Sequence, residues 1–232
     1  MSARVTLEPA YLLSRRPYRD TSLLLEVFSR EHGRVGLVAR GARAPKSKLR
    51  GLLQDFSPLL LSWQLRGELG ALDAAEAAAP PLVLSGERVF HGWYLNELLT
   101  RLLQRHDAHP RLFEAYALTL AQLGGEAEAG IDALRYFEMS LLAEIGYGVV
   151  LPETLEPARH YRYDLERGPE PARADDRGVY LGAHLVALRD GDLADASARR
   201  EALRLLRSLL AMQLGDRPLK TPQLLREMRA RS

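Results

Sequence analysis

The sequence predicts an α+β protein that begins with a small β-barrel and continues as a helical region. Five short apolar segments with strand-like patterning fall within about the first eighty residues. Beyond Pro80-Pro81 the apolar residues recur at helical spacing instead. Residues 149–181 are rich in turns and contain four prolines. We therefore expect a barrel domain over residues 1–79 and a helical bundle domain over 80–232, with 149–181 as an irregular connector.

Turn residues bound the expected strands of the barrel. The five segments are residues 4–13, 22–28, 34–40, 58–65 and 69–78. The first is expected to end at Ser14–Pro17, because proline cannot donate to a strand ladder. A tight connection at residues 29–33 predicts a hairpin between the second and third strands. Five short strands favour an oligonucleotide/oligosaccharide-binding (OB) barrel, although an SH3-like barrel also fits the pattern.

The later segments predict helices with clear start and stop signals. The expected helices are residues 89–103, 110–124, 131–145, a helix that Asp195 or Ser197 caps and that runs to about Met212, and a short last helix from Thr221-Pro222. Their apolar faces should pack on one another as a bundle. Within the connector, residues 161–163 and 178–180 could pair as a small hairpin.

Composition excludes several classes of function. The chain of 232 residues has no cysteine, so disulfides, thiolate metal sites and a cysteine nucleophile are all excluded. The N-terminus lacks the apolar core of a signal peptide, and no apolar run reaches the roughly 18 residues of a membrane helix. A cytoplasmic protein without membrane association is the expectation. The net charge of +2 hides a basic front, an acidic middle and a basic tail.

A run of basic residues follows the third expected strand. Between Glu31 and Asp55 there is no carboxylate. The same stretch contains Arg34, Arg40, Arg43, Lys46, Lys48 and Arg50. A solvated loop is the ordinary interpretation of such a run, but the missing acids and the flanking glycines favour nucleic-acid phosphate. Arg15 and Arg16 could join from the first turn, and we expect contacts to the phosphate backbone without reading of bases.

Aromatic and catalytic candidates are few. Tyr18, in a turn beside two arginines, is the expected residue for stacking on a base, whereas Phe28 and Trp63 are expected in the core. His106 and His109 flank Asp107 without a third ligand nearby, so no metal is predicted. The glycine-rich stretch does not match the phosphate-binding loop of nucleotide hydrolases. We predict no cofactor and no enzymatic activity.

Several blocks of the sequence resemble the RecO family of recombination mediators. The blocks are SRRPYRDTS from Ser14, GRVGLVARGARAPKSKLRGLLQDFSPLLL from Gly33, GEL from Gly67, YLNELLTRLL from Tyr94, ALRYFEMSLLAEIGYG from Ala133 and RPLKTPQLLREM from Arg217. The resemblance implies a DNA repair and recombination protein with an OB-fold, located in the cytoplasm at the nucleoid. It further implies binding of single- and double-stranded DNA, annealing of complementary strands, and action with RecR to load RecA on DNA coated by single-strand binding protein (SSB).

The resemblance also bears on the connector and on a protein-binding site. Some family members carry a four-cysteine zinc site at the position of residues 151–176, which this chain cannot form. Arg135 lies among apolar residues of a predicted helix, with Leu142 two turns further on. It could simply pair with Asp132 or Glu138, or it could form the cationic rim of a groove for the SSB C-terminal tail. The alternative to a DNA-binding mediator is a non-enzymatic adaptor whose basic loop docks an acidic protein.

Overall fold

The N-terminal strands close into a barrel. A computed structural model describes residues 4–125 and 127–231. The strands are β1 (Arg4–Tyr18), β2 (Ser22–Ser29), β3 (Gly33–Ala39), β4 (Pro58–Arg66) and β5 (Leu69–Ala77), with a short helix α1 (Leu49–Leu52) between β3 and β4. They are hydrogen-bonded in the order β1-β2-β3-β5-β4 and back to β1. Only β3 and β5 run parallel, and this closure is that of an OB-type barrel. The predicted α+β class and five-stranded barrel are confirmed.

The first strand is longer than the sequence indicated. It continues through Pro17 to Tyr18, so the expected stop at Ser14–Pro17 is wrong. Pro17 lies opposite Leu23, one pair from the end of the β1–β2 hairpin. At the end of a ladder a missing N–H is tolerated. The chain turns at residues 19–21 instead, where Arg19 takes a φ of +51°.

The barrel core follows from the period-2 pattern of its strands. Val35, Leu37 and Ala39 of β3 have no exposed surface, and Trp63 of β4 fills the interior beside them. Gly70 on β5 makes room for this packing. A Cβ atom there would lie 2.6 Å from Leu37 Cδ2 and 3.2 Å from Trp63 Cδ1. The expectation that Trp63 belongs to the core is confirmed.

Besides the short α1, three helices belong to the same compact unit as the barrel. This unit comprises Met1–Glu126 and Leu219–Ser232. The three helices are α2 (Glu87–Leu102), α3 (Pro110–Gly124) and, after the second unit described below, the C-terminal helix that begins at Lys220. Phe28 faces out of the barrel onto Phe113 and Tyr116 of α3, with ring centroids 5.5 and 6.1 Å away. Its burial confirms that it packs rather than stacks on bases.

The second unit, Ala127–Pro218, combines helices with a small sheet. It contains α4 (Ala127–Glu144), α5 (Gly182–Asp190) and α6 (Ala196–Leu214), and the strands β6 (His160–Asp164), β7 (Gly168–Ala172) and β8 (Val179–Leu181). The last helix of the chain, α7 (Lys220–Arg231), returns to the first unit and packs on α2. The predicted pairing of residues 161–163 with 178–180 is confirmed, because Tyr161 lies opposite Tyr180.

The prediction from the sequence did not include two elements of this unit and one feature of the helix packing. Strand β7 adds to the other edge of β6 although it contains Pro169 and Pro171. Helix α5 was not expected at all. The expected single bundle is met only in part, since α2 packs on α3 and α7, and α4 packs on α6. The predicted domain division at residue 80 concerns which segments fold alone and stays a prediction.

Candidate nucleic-acid interface

Two separate parts of the chain meet at one end of the barrel. One is the end of β1 with the β1–β2 turn, and the other is the β3–β4 loop. The backbone N–H of Arg43 donates to the carbonyl of Thr21 across 2.8 Å, and the Arg43 Nη1 reaches the carbonyl of Arg19 at 3.4 Å. The guanidinium of Arg15 donates to the carbonyl of Leu53 at the far end of the loop. The structure therefore joins the two basic segments that the sequence showed apart.

The β3–β4 loop is fixed by its apolar residues, which leaves its cations outside. Ala42 and Leu53 are buried in the barrel core, at 1% and 0% exposure. Between them the chain makes successive turns, with Ala44 N–H donating to the Gly41 carbonyl and Ser47 N–H to the Ala44 carbonyl, both at 3.0 Å. The basic residues lie between these anchors and point to solvent. The barrel therefore positions the loop, and the loop presents its charged side chains on one part of the surface.

Eight cations at this end form what we call the basic cluster. Its members are Arg15, Arg16, Arg19, Arg40, Arg43, Lys46, Lys48 and Arg50. All eight are exposed, and among the side chains that the structure describes none has a carboxylate within 4.0 Å. Asp55, the acid that ends the basic run, instead accepts a 3.1 Å hydrogen bond from Trp93 Nε1. Arg19 was not among the predicted site residues, although its place directly after Tyr18 was a usable signal.

Arg34, also expected in the interface, lies elsewhere on β3 and is neutralised. Its Nη1 is 3.2 Å from Glu26 Oε1 on β2, and the two side chains are only 16% and 12% exposed. Burial lowers the pKa of Arg34, an effect that Glu26 opposes and the nearby Arg105 reinforces. The absence of acids next to Arg34 in sequence did not exclude an acid from the neighbouring strand. The placement of Arg34 among free cations is therefore wrong.

The remaining predicted contacts lie on or beside the outer face of the β1–β2–β3 sheet. Arg16 is directly opposite Leu24, which is in turn opposite Val38, so the three side chains share one face. Arg40 continues that face beyond the end of β3. Tyr18 is half-buried at the end of β1 rather than in a turn. The Arg19 guanidinium lies 5.2 Å from its ring centroid.

The other aromatic side chains of residues 4–79 are packed and unavailable for stacking on a base. Tyr11 packs against Phe113 and Tyr116, with centroids 5.4 and 5.1 Å away. Phe56 is buried against Gly92 of α2, where an added Cβ would lie 2.5 Å from Phe56 Cε1. Among the aromatic residues of positions 4–79, Tyr18 is thus the one that is left beside the basic cluster.

The second predicted site, at Arg135 and Leu142, is buried. Arg135 Nη2 donates to Glu138 Oε1 at 2.8 Å, and the side chains are 7% and 1% exposed. Leu142, on the same helix α4, has no exposed surface. Asp132, the other suggested partner, binds Arg199 of α6 at 2.9 Å. The pairing with Glu138 is confirmed, and a role of Arg135 and Leu142 in binding the tail stays a prediction.

Metal chemistry finds no support among the described residues. None of their His, Asp and Glu side chains come together in a group of three that could hold a metal ion. His109 and Asp107 approach only as a pair, at 3.5 Å. Within the connector, two tyrosine hydroxyls accept hydrogen bonds from the backbone. Tyr163 Oη accepts from the Val150 N–H at 2.8 Å, and Tyr161 Oη from the Glu156 N–H at 2.9 Å.

Fold and site together define a class of protein: an OB-type barrel with a helical region and a cluster of exposed cations at one end of the barrel. Comparison with known proteins narrows this class. The family model "Recombination protein O N terminal" matches residues 1–81, and "Recombination protein O C terminal" matches residues 84–223. The chain belongs to the RecO family of DNA repair proteins.

Individual relatives agree over nearly the full length. A DNA repair protein RecO from Nitrosococcus oceani is 49% identical, with 97% of this chain and 95% of the relative covered. Proteins of the same name from Aromatoleum aromaticum and Coxiella burnetii are 43% and 44% identical, each covering 97% of this chain and 97% and 100% of the relative. None of the described helices is long and apolar enough to span a membrane.

Proposed function

We propose that this protein binds single- and double-stranded DNA through the basic cluster and anneals complementary strands, without catalysing a reaction of its own. With RecR it would help load RecA onto SSB-coated DNA in recombinational repair, in the cytoplasm at the nucleoid. The observation that carries the proposal is the set of eight exposed cations, drawn from two chain segments and without carboxylate partners among the described side chains. Family membership supplies the repair context.

The cluster suits the phosphate backbone rather than the bases. Exposed lysine and arginine side chains neutralise phosphates and release condensed counterions, so affinity falls with salt by about 0.7 in log–log slope for each single-strand phosphate contacted. Contacts of this kind position the nucleic acid but carry no sequence information. Binding should therefore be steeply dependent on salt and indifferent to sequence.

Annealing follows from where the contacts fall. Two strands can pair only if their Watson–Crick edges stay free while they are held together. Phosphate contacts leave those edges free, and among the aromatic residues of positions 4–79 only Tyr18 is left for stacking on a base. A positive surface also lowers the repulsion between two polyanionic strands. The protein would then concentrate strands without sequestering their bases.

The partner proteins are proposed because the chain belongs to the RecO family, and not because a surface in the structure identifies them. The SSB tail, which ends in acidic and apolar residues, remains our proposed ligand for the region of Arg135 and Leu142. For Arg135 to meet a carboxylate, its pair with Glu138 must open, because the side chain is only 7% exposed. Arg135→Ala should weaken binding of a tail peptide in a fluorescence assay and leave bare DNA binding intact. Equal loss of both would show that the site lies elsewhere.

The decisive experiment removes four cations from the cluster. We expect the variant R40A/R43A/K46A/K48A to lose most of its affinity for oligonucleotides at low salt. Its log–log salt slope should fall by about 3 if each side chain meets one single-strand phosphate. Fluorescence anisotropy across a salt series measures both quantities. Because all four side chains are exposed, the free energy of unfolding should change little.

A matched control removes four exposed arginines that have acidic partners. Arg159, Arg162, Arg167 and Arg173 are each within 4.0 Å of a carboxylate in the second unit. Their replacement by alanine changes the net charge equally and should leave the salt slope near that of the unmodified protein. Equal losses in both variants would mean that overall charge, not the cluster, governs binding. A protein that binds DNA yet never anneals complementary strands in the absence of partners would favour the adaptor alternative.

A further inference from the structure

The connection between α2 and α3 runs beside the first residues of β3, and the side chain of its Arg105 lies on the outer face of the barrel. We call residues 103–109 the strap. Leu103 and His109 at its ends are buried, at 3% and 8% exposure, and the segment between them lies over the start of β3. Arg105 forms a parallel bridge with Arg34, and the His106 N–H donates to the Arg34 carbonyl at 3.0 Å. The strap therefore extends the barrel sheet by a single residue pair.

An ion-pair network holds the strap to the sheet. Glu26 of β2 accepts from Arg105 Nη2 at 2.6 Å through one carboxylate oxygen. Its other oxygen lies 3.2 Å from Arg34 Nη1. Both arginines are thus directed at one carboxylate, which is only 12% exposed. A partly buried pair of this kind is screened less by salt than a surface pair.

Two glycines of β3 let the strap approach the sheet this closely. At Gly33, which has a φ of +60°, an added Cβ would lie 1.7 Å from the carbonyl oxygen of Asp107. At Gly36 it would lie 3.0 Å from Arg105 Nη1. Any larger residue at Gly33 would push the strap outward. The close backbone approach at Gly33 and the Arg105 side chain beside Gly36 therefore both restrict access to this half of the outer face.

The other half of the same face is open. Leu24 and Val38 are half-buried there, between the exposed Arg16 and Arg40. From Gly36 to Arg40 the strand rises four residues, or about 13 Å at roughly 3.3 Å each. Beyond Arg40 the surface continues directly into the basic cluster. A strand of nucleic acid laid on this face would meet the strap at one end and the cluster at the other.

From this arrangement we propose that the strap terminates the single-strand track on the barrel. The barrel then accepts only a short segment, near the lower end of the roughly 4–16 nucleotides that an OB-fold can hold, and the strand leaves over the basic cluster. Arg105 acts as a positioning residue that keeps the track short. This proposal rests on the proposed DNA binding and adds where the bound strand must end. A short hold on each strand leaves more of it free to pair.

The test measures how affinity depends on oligonucleotide length. Oligothymidylates of about 4 to 16 nucleotides are titrated into the full-length protein, and the length at which affinity stops rising is recorded. In Arg105→Ala and Gly33→Ala, where the strap is released, that length should increase and the longest oligonucleotides should bind several-fold tighter. The shortest ones should bind as before. Arg105→Ala removes a positive charge, so tighter binding is opposite to what charge loss alone gives.

Matched controls separate the strap from charge and from backbone strain. Arg111→Ala removes an exposed arginine at the start of α3, outside the strap. Gly67→Ala replaces a glycine with a φ of +75° that has nothing within 4 Å of an added Cβ, so it adds strain without moving the strap. The proposal is overturned if Arg105→Ala matches Arg111→Ala, with weaker binding and an unchanged length dependence. If the unmodified protein bound no oligonucleotide of any length, the proposed function itself would fail instead.

Discussion

The two ends of β3 carry arginines in opposite circumstances. Arg40, after the last residue of the strand, is exposed and has no acidic partner among the described side chains. Arg34, near the first residue, is 16% exposed and shares Glu26 with Arg105. Both lie on the outer face of one strand, six positions apart. In the sequence they are equivalent members of the same basic run.

This difference shows that a charge run in sequence does not identify free charge. Whether a cation can meet a phosphate depends on the residues that the neighbouring strand and the following helices bring to it. At Arg40 the neighbours are solvent and other cations, and at Arg34 they are Glu26 and the strap. The first end is suited to binding, and the second to holding the barrel and its helices together. Substitutions at the two ends should therefore affect different measurements.

The largest effect on stability is expected from Glu26→Ala. It leaves Arg34 and Arg105 facing each other without their shared carboxylate, and one of them is mostly buried. The free energy of unfolding should fall by about 1–3 kcal/mol, measured by urea denaturation. Arg40→Ala, at the free end, should change it by less than about 0.5 kcal/mol. Similar values for the two variants would remove the distinction between the ends.

A smaller effect is expected on DNA binding, and here the substitution at Arg40 should matter more than the one at Arg34. Arg40→Ala should weaken single-strand binding a few-fold and lower the log–log salt slope by about 0.7, the share of one phosphate. Arg34→Ala should leave the slope unchanged, because its guanidinium is directed at Glu26. Anisotropy titrations at several salt concentrations distinguish the two. A lowered slope in Arg34→Ala would mean that phosphate displaces Glu26 when DNA binds.

The barrel could be predicted from the sequence because its cause is local. Strands β2 to β5 follow from their apolar residues between turn signals, and their observed ends differ from the predicted ones by at most one residue. Helix α6 likewise begins at its predicted cap, since Asp195 accepts from the N–H groups of Ser197 and Ala198, both at 2.9 Å. Local hydrogen bonding and period fix such features, so no tertiary knowledge is required.

The errors occurred where tertiary contacts override local signals. Pro17 was taken as the end of a strand and the two prolines of β7 as signs of an irregular connector, yet each lies at a position where the ladder tolerates it. For Arg135 the resemblance suggested the rim of a groove beside the alternative of an ion pair, and Glu138 one turn along the helix allows the side chain to be buried. The strap could not be anticipated, because residues 103–109 meet β3 some seventy positions away in sequence. The charged residues and prolines are real features of the sequence, but contacts with distant segments decided their place in the structure.

A third kind of arginine is paired but exposed, and its effect on stability should be much smaller than that of the Glu26 pair. Arg229 of α7 binds Glu87 at the start of α2, and their side chains are 58% and 42% exposed. Hydrogen bonding to Arg229 holds the pKa of Glu87 below its ordinary value of 4.5. A carboxyl whose pKa is depressed on folding contributes stability above its unfolded value and loses it as the pH falls through its folded value. Solvent screening limits the contribution to well under about 1 kcal/mol.

Glu87→Gln should accordingly lower the free energy of unfolding slightly at neutral pH, where the pair exists. The difference from the unmodified protein should shrink as the pH falls below 4.5 and vanish once Glu87 is protonated in both states. Urea denaturation at pH 7 and at about pH 3 measures both values, and DNA binding at neutral pH should not change. A loss as large as that of Glu26→Ala would mean that pairing alone sets the stability contribution of an arginine. In the expected ranking of stability effects, the half-buried pair exceeds the exposed pair and both exceed the free cation. This ranking attributes the contribution of an arginine to pairing together with burial.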